Sequence, residues 1–421
     1  MMPAFNPSIV IWAVAALATC GVILRPWRVP EYIWALSGAI ALTASGLIPL
    51  PAALHAVAEG MDVYLFLIGM MVLAELARQQ GLFDWLAMYA AQHARGSGQR
   101  LFDLVFLVGT LVTVFLSNDA TAVVLTPAVY AAARAAKAEP LPYLFVCAFI
   151  ANAASFVLPI SNPANLVIFG SHMPPLMIWL WHFTLPSIAA IGLTYLVLRL
   201  TQRAQLRKPL ETVITLQPLS SGARLTAFGI LLTGIVLLSA SALGVQLGLP
   251  TFCAGLATAV LIHLRQRLSP LPVLKGVSWG VLPLVAGLFV LVEGLALTGV
   301  INDLAHGLQA LAERSSTQAT WGAGVVVAIA SNLLNNLPTG LIAGSMGHIA
   351  PLPTQITSAL LIGVDLGPNL SITGSLATLL WLIAVRREGE NVTAWDFLKL
   401  GILVMPPALI GALAALSITA G

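Results

Sequence analysis

Charge is what this chain lacks. Of its 421 residues, 19 are Lys or Arg and 16 are Asp or Glu, only 8% in all, against roughly 25% in a soluble domain. So few charges cannot cover the outside of a soluble fold of this size. The net charge of +3 is not clustered, which excludes a nucleic-acid binder. Disorder needs low hydrophobicity and high net charge. Cysteine is equally scarce. Cys20, Cys147 and Cys253 stand alone, with no CxxC, so neither a disulfide framework nor a zinc site is expected, and no cofactor is indicated. What is abundant is apolar sequence, 59% of residues, with a mean hydropathy of +0.94. That combination defines an all-α polytopic membrane protein. The first apolar run, 8–24, has no basic residue before it and no A-x-A cleavage site directly after it, and reads as a retained span.

Apolar segments fall near 7–24, 30–49, 62–77, 101–133, 140–170, 176–199, 225–242, 249–264, 279–298, 319–348, 354–385 and 397–419. Polar breaks interrupt four of them. We read 101–133 and 319–348 as re-entrant hairpins, 140–170 and 354–385 as broken helices, and expect about ten transmembrane helices plus the two hairpins. With the N-terminus outside, 18 of the 19 basic residues fall on the inner side and only Arg314 on the outer, as the positive-inside rule requires. Both termini are then expected outside.

The two halves match. Ser117-Asn118-Asp119 in the first hairpin corresponds to Asn335-Asn336-Leu337 in the second, and Ser161-Asn162 in the first broken helix to Thr373-Gly374 in the second. The expected organisation is an N-terminal repeat 1–200, a cytoplasmic linker 201–224 and an inverted C-terminal repeat 225–421. Paired interrupted segments in two inverted halves point to a secondary transporter with a midplane site.

Asn, Ser and Thr at such breaks supply neutral donors and acceptors to a small polar solute. The candidate binding residues are Ser117, Asn118, Thr121, Ser161, Asn162, Asn165, Asn335, Asn336, Thr373, Gly374 and Ser375. Each could instead hold helices together. Intramembrane carboxylates are costly and default to functional roles. Asp119 at the first tip, Asp365 before the second break and Glu293 are the candidates for proton coupling. No Lys or Arg falls in any deep segment. Cys147 alone cannot form a chelating trio.

At these residues the chain resembles the bacterial arsenite/antimonite efflux permeases, the arsenical pump membrane proteins of the ion transporter superfamily. Ser117-Asn118-Asp119-Ala120, Ser161-Asn162-Pro163-Ala164-Asn165, Asn335-Asn336-Leu337-Pro338 and the run Asp365 to Trp381 carry the likeness. The resemblance implies efflux of trivalent arsenic or antimony hydroxides from the cytoplasm and arsenical resistance. The drive would be proton antiport or docking of a cytosolic arsenical ATPase subunit, in the bacterial inner membrane and in contact with its lipid. Asn152 and Val364 depart from the pattern of some relatives, which shifts weight to Asp119 and Asp365 as proton carriers. The alternative within the superfamily is a carboxylate or inorganic anion carrier. An aspartyl protease built on Asp119 and Asp365 and a passive channel fit the duplicated broken helices less well, so an enzyme is not expected.

Overall fold

The computed structural model describes residues 6–170, 173–211 and 216–419. The chain ends, expected outside, lie at residues 1–5 and 420–421, beyond the described residues. All regular structure among the described residues is helical.

The first half runs α1 (Pro7–Leu24), α2 (Glu31–Ala44), α3 (Leu50–Glu59), α4 (Met61–Gln79), α5 (Leu82–His93), α6 (Gly98–Phe115), α7 (Thr126–Ala135), α8 (Leu141–Ala153), α9 (Pro163–Phe169) and α10 (Leu176–Thr201). A short α11 (Arg203–Leu206) begins the connection. The second half repeats the order with α12 (Ser221–Ala242), α13 (Gly248–Gln266), α14 (Leu271–Gly276), α15 (Val281–Leu297), α16 (Val300–Arg314), α17 (Ser316–Leu334), α18 (Asn336–Ile349), α19 (Thr354–Leu366), α20 (Leu376–Arg387) and α21 (Ala394–Thr419). Each helix of the first half has its counterpart eleven helices on.

Six helices (α1, α6, α10, α12, α13 and α21) are long and apolar enough to cross a bilayer. Two bent pairs also qualify, α3 with α4 at 44° and α15 with α16 at 73°. The remaining expected crossings are built from shorter pieces: α2, the α8–α9 pair and the α19–α20 pair. The stretches holding α3, α5, α14 and α16 read as loops between spans in the sequence, and the structure makes them helices.

The first pair of helices of each half packs into the other half. α2 lies along α15, and α13 lies along α4. Glycine makes both contacts close. A Cβ on Gly69 would sit 2.4 Å from the Thr251 carbonyl oxygen. A Cβ on Gly287 would come within 2.8 Å of Ala35 backbone. Small residues at helix crossings are how membrane helices gain packing. α10 and α21, which are counterparts, pack on each other.

The start of the linker is docked rather than loose. Leu210 N donates to Gly96 O at 2.9 Å, Glu211 N to Ala136 O at 2.9 Å, and Lys137 pairs with Glu211 at 2.8 Å.

Candidate functional site

The two hairpin tips are made in the same way. α6 ends at Phe115, and Ser117 Oγ then accepts from Ala120 N at 3.2 Å, capping the helix that leads through a π-helical turn (Ala120–Leu125) into α7. Pro127 has no N–H to give to the carbonyl four residues back, which favours that wider turn. In the second hairpin Asn335 takes the role of Ser117. It adopts φ +78 with ψ 154, a backbone region that is essentially glycine's, and its side chain accepts from Leu337 N. Thr339 Oγ1 donates back to Asn335 O at 2.8 Å. Thr121 Oγ1 lies 3.5 Å from Ser117 O and 2.8 Å from Thr113 Oγ1.

The broken helices also correspond. Asn162 caps α9 by accepting from Ala164 N at 3.0 Å, with Pro163 at the favoured first helical position. Ser375 caps α20 by accepting from Thr378 N at 3.0 Å. Both breaks are pinned to the adjacent hairpin. Ser161 Oγ donates to Val114 O at 3.0 Å, and Thr373 Oγ1 donates to Asn332 O at 2.9 Å. Ser161 and Thr373 are therefore equivalent, as the sequence indicates. The equivalent caps are Asn162 and Ser375, one residue further on, and Gly374 is the extra residue between.

Beneath the caps the halves are braced to each other. Asp365 on α19 accepts from Asn162 Nδ2 at 2.7 Å. Its counterpart on α8 is Asn152, whose Nδ2 donates to Asn369 Oδ1 at 3.0 Å and Thr378 Oγ1 at 3.3 Å, while Ser375 Oγ lies 3.5 Å from its Oδ1. Asp365 Oδ2 is buried without a hydrogen-bond partner.

Four helix N-termini converge on one hollow of about 20 Å³. Asn118 and Asp119, Asn162 and Pro163, Asn336 and Leu337, and Leu376 and Ala377 line it, each pair from a different helix start. Helix N-termini carry partial positive charge and free N–H groups. A larger cavity of about 420 Å³ shares Asp119, Pro163 and Leu376 with that hollow and continues past Met70 and Met71 to Glu75, Arg78 and Arg387. A third cavity of about 780 Å³ is lined by Glu59, Phe169, Gly344, His348 and Thr354. Thr354 opens α19 and Arg387 closes α20, so the two large cavities lie at opposite ends of this broken helix.

The structure thus divides the candidate residues. Ser117, Asn118, Asp119, Asn162 and Asn336 line the hollow or the cavity. Thr121, Ser161, Asn335, Thr373 and Ser375 are engaged in the contacts described above, and Gly374 packs against Pro368. Asn165 Nδ2 donates to Ser155 O at 2.9 Å and Leu158 O at 3.2 Å, holding the break together. Asp365 reaches the hollow only through Asn162. Glu293 sits beside His55 and Glu59, the latter a wall residue of the third cavity, and lines neither the hollow nor the cavity that shares Asp119 with it.

Glu75, absent from the candidate residues, also lines the wall of the larger cavity. It is buried and held by Arg78 Nε at 2.7 Å and Gln79 Nε2 at 2.6 Å. The i, i+3 spacing of Glu75 and Arg78 was the available signal. Gly276 makes room for it, since a Cβ there would lie 1.9 Å from Glu75 Oε1. Among the described residues no group of His, Cys, Asp and Glu could hold a metal ion.

A duplicated all-helical fold with broken helices meeting at a small polar hollow defines a polytopic membrane transporter. The citrate transporter (CitMHS) profile matches residues 10–364, and the chain belongs to that family. Among its relatives is an arsenical pump membrane protein of Escherichia coli, 28% identical over 415 residues, covering 90% of this chain and 92% of the relative. The arsenical pump membrane protein of Yersinia enterocolitica is 29% identical over 379 residues, with coverages of 83% and 85%. An uncharacterized transporter of Mycobacterium tuberculosis is 28% identical over 427 residues, with coverages of 93% and 94%. The Alcanivorax borkumensis YdaH transporter, at 16% identity, shares the fold with a TM-score of 0.57 over 92% of this chain and 97% of that one.

Proposed function

We propose that this transporter exports trivalent arsenic and antimony hydroxides from the cytoplasm across the bacterial inner membrane, by exchange for protons. The observation that carries the reading is the hollow itself. Three side-chain amides, four helix starts and one carboxylate meet there, with no Lys or Arg. Helix starts and amide N–H groups donate to the oxygens of a trihydroxide. Asp119 and the amide oxygens accept from its hydroxyls. Such a cage binds a neutral solute without a thiolate trap and releases it for turnover. The relatives named as arsenical pumps, similar over most of the chain, support the same substrate.

In this reading the halves are inverted, and the 420 Å³ cavity is the cytoplasmic approach. Its far end carries Arg78 and Arg387, among the basic residues that mark the inner side. Hairpins and broken helices move against the α2–α15 and α4–α13 scaffold to open the other cavity. Asp119, on the wall of the hollow, takes up the returning proton. Asp365 acts one step away, through Asn162. No cytosolic ATPase subunit is needed for this cycle.

A second reading, export or uptake of a carboxylate, is favoured by the family profile and by Arg78 and Arg387 along the cavity. Against it, Asp119 would repel a polyanion at the hollow. Expression in an arsenic-sensitive bacterium lacking its own pump tests the proposal. Restored resistance with lowered intracellular arsenic is expected, and Asp119→Asn should abolish it. Unchanged sensitivity with confirmed membrane expression would overturn the reading.

A further inference from the structure

A separate pocket of about 420 Å³ lies where the start of α12 meets the end of α13. Its wall is Ser221, Arg224, Leu225, Phe228, Arg265 and Gln266. Two arginines therefore line one space, Arg224 with its Nε donating to Leu219 O at 3.0 Å, and no acidic side chain lines it. Neither arginine takes part in an ion pair among the described residues. Beside the charged end the surface turns apolar. Phe228 is 60% exposed and Leu264 74% exposed, on the two helices that form the pocket.

The counterpart helix pair carries no arginine at the equivalent ends. In that pair, α1 and α2, the first turn is Pro7-Ser8-Ile9-Val10, and the residues closing α2 are Ala41-Leu42-Thr43-Ala44. The pocket also touches working parts. A Cβ on Gly222 would lie 1.8 Å from Gln80 Oε1 and 2.1 Å from Gln266 Nε2. Gln80 caps α4, the helix that carries Glu75 and Arg78 into the transport cavity.

We propose that this pocket binds the phosphate of an anionic membrane lipid, with its acyl chains along Phe228 and Leu264, and that the lipid steadies the end of α4. Paired arginines suit a phosphate by charge and by fork geometry, and the adjoining apolar face selects a lipid over a free ion. The inference rests on the membrane orientation set by the basic residues and is independent of what the transporter carries.

The test uses the purified full-length chain in detergent. Phosphatidylglycerol, phosphatidylcholine and inorganic phosphate are compared by native mass spectrometry and by thermal unfolding. The expected result is retention of phosphatidylglycerol and a raised Tm with that lipid only. The double variant Arg224→Gln/Arg265→Gln should weaken the binding about tenfold or more and remove the Tm effect. Arg265→Gln alone, at an exposed helix end, should give a partial loss. The control Arg203→Gln/Arg207→Gln, elsewhere on the same basic side, should change neither. Equal retention in the double variant and the parent would overturn the proposal. So would an equal loss in the control, which would mark a general charge effect. Stabilisation by inorganic phosphate as great as by lipid would overturn the lipid assignment.

Discussion

Asp365 and Asn162 lie 203 positions apart in the chain, yet Asn162 Nδ2 donates to Asp365 Oδ1 at 2.7 Å. The bond crosses from one half of the molecule to the other and grips the residue that caps α9. At the equivalent place in the other direction, Asn152 reaches Thr378 and Asn369 beside the cap of α20. One brace carries a carboxylate and the other an amide. The two halves are alike in geometry and unlike in the ability to take a proton.

Asp365→Asn should therefore separate structure from coupling. An amide oxygen can still accept from Asn162, so the protein should fold, with thermal stability within about 1 kcal/mol of the parent. Uphill transport under a pH gradient should fall tenfold or more, about 1.4 kcal/mol or more. Asp365→Ala should lose transport and also lower Tm, because Asn162 then loses its partner. Normal uphill transport by Asp365→Asn would remove Asp365 from the proton pathway.

Gly276→Ala should damage the cavity wall. The added methyl would meet Glu75, which Arg78 and Gln79 hold in place. A cost of about 1–3 kcal/mol is expected, read as a lower Tm and a slower transport rate. Gly192→Ala, where a Cβ meets nothing within 4 Å, is the control and should change neither.

The second hairpin tip depends on a positive φ as well as a cap. Asn335→Gly should lose the cap and the bond from Asn335 Nδ2 to Thr373 O at 3.2 Å, and Asn335→Ala should lose both and also strain the backbone. Thermal unfolding should show the alanine variant less stable by about 1 kcal/mol. Equal Tm values would show that the conformation at Asn335 is not a constraint.

Replacing all three cysteines should leave transport intact. Cys147 is buried with its thiol 3.7 Å from Tyr143 O. Cys20 and Cys253 are exposed on α1 and α13. No three sulfurs converge on a metalloid. A Cys20→Ala/Cys147→Ala/Cys253→Ala variant should transport within about twofold of the parent, since none lines the hollow. A loss of tenfold or more would bring a thiol into the mechanism.

Much of this could be seen in the residues. Asn118, Asn162 and Asn336 reach the hollow because interrupted segments at membrane depth must satisfy their own backbone, and polar residues collect there. Charge scarcity likewise marked Asp119. What could not be seen was which polar side chains are spent on the backbone. Asn165 and Asn162 are three residues apart in one motif. One ties the break to Ser155 and Leu158, and the other faces the hollow, a division set by tertiary packing. α16 was missed because its Asp303, Glu313 and Arg314 gave it the polarity of a loop. The packing of Gly276 against Glu75 joins α14 to α4, and no local pattern announces such a contact.

The most direct measurement is arsenite accumulation in everted membrane vesicles energised by a pH gradient, with citrate as the parallel solute. Uphill accumulation of arsenite is predicted, abolished by an uncoupler and by Asp119→Asn, with no accumulation of citrate. Citrate accumulation without arsenite accumulation, in vesicles that contain the protein, would contradict it.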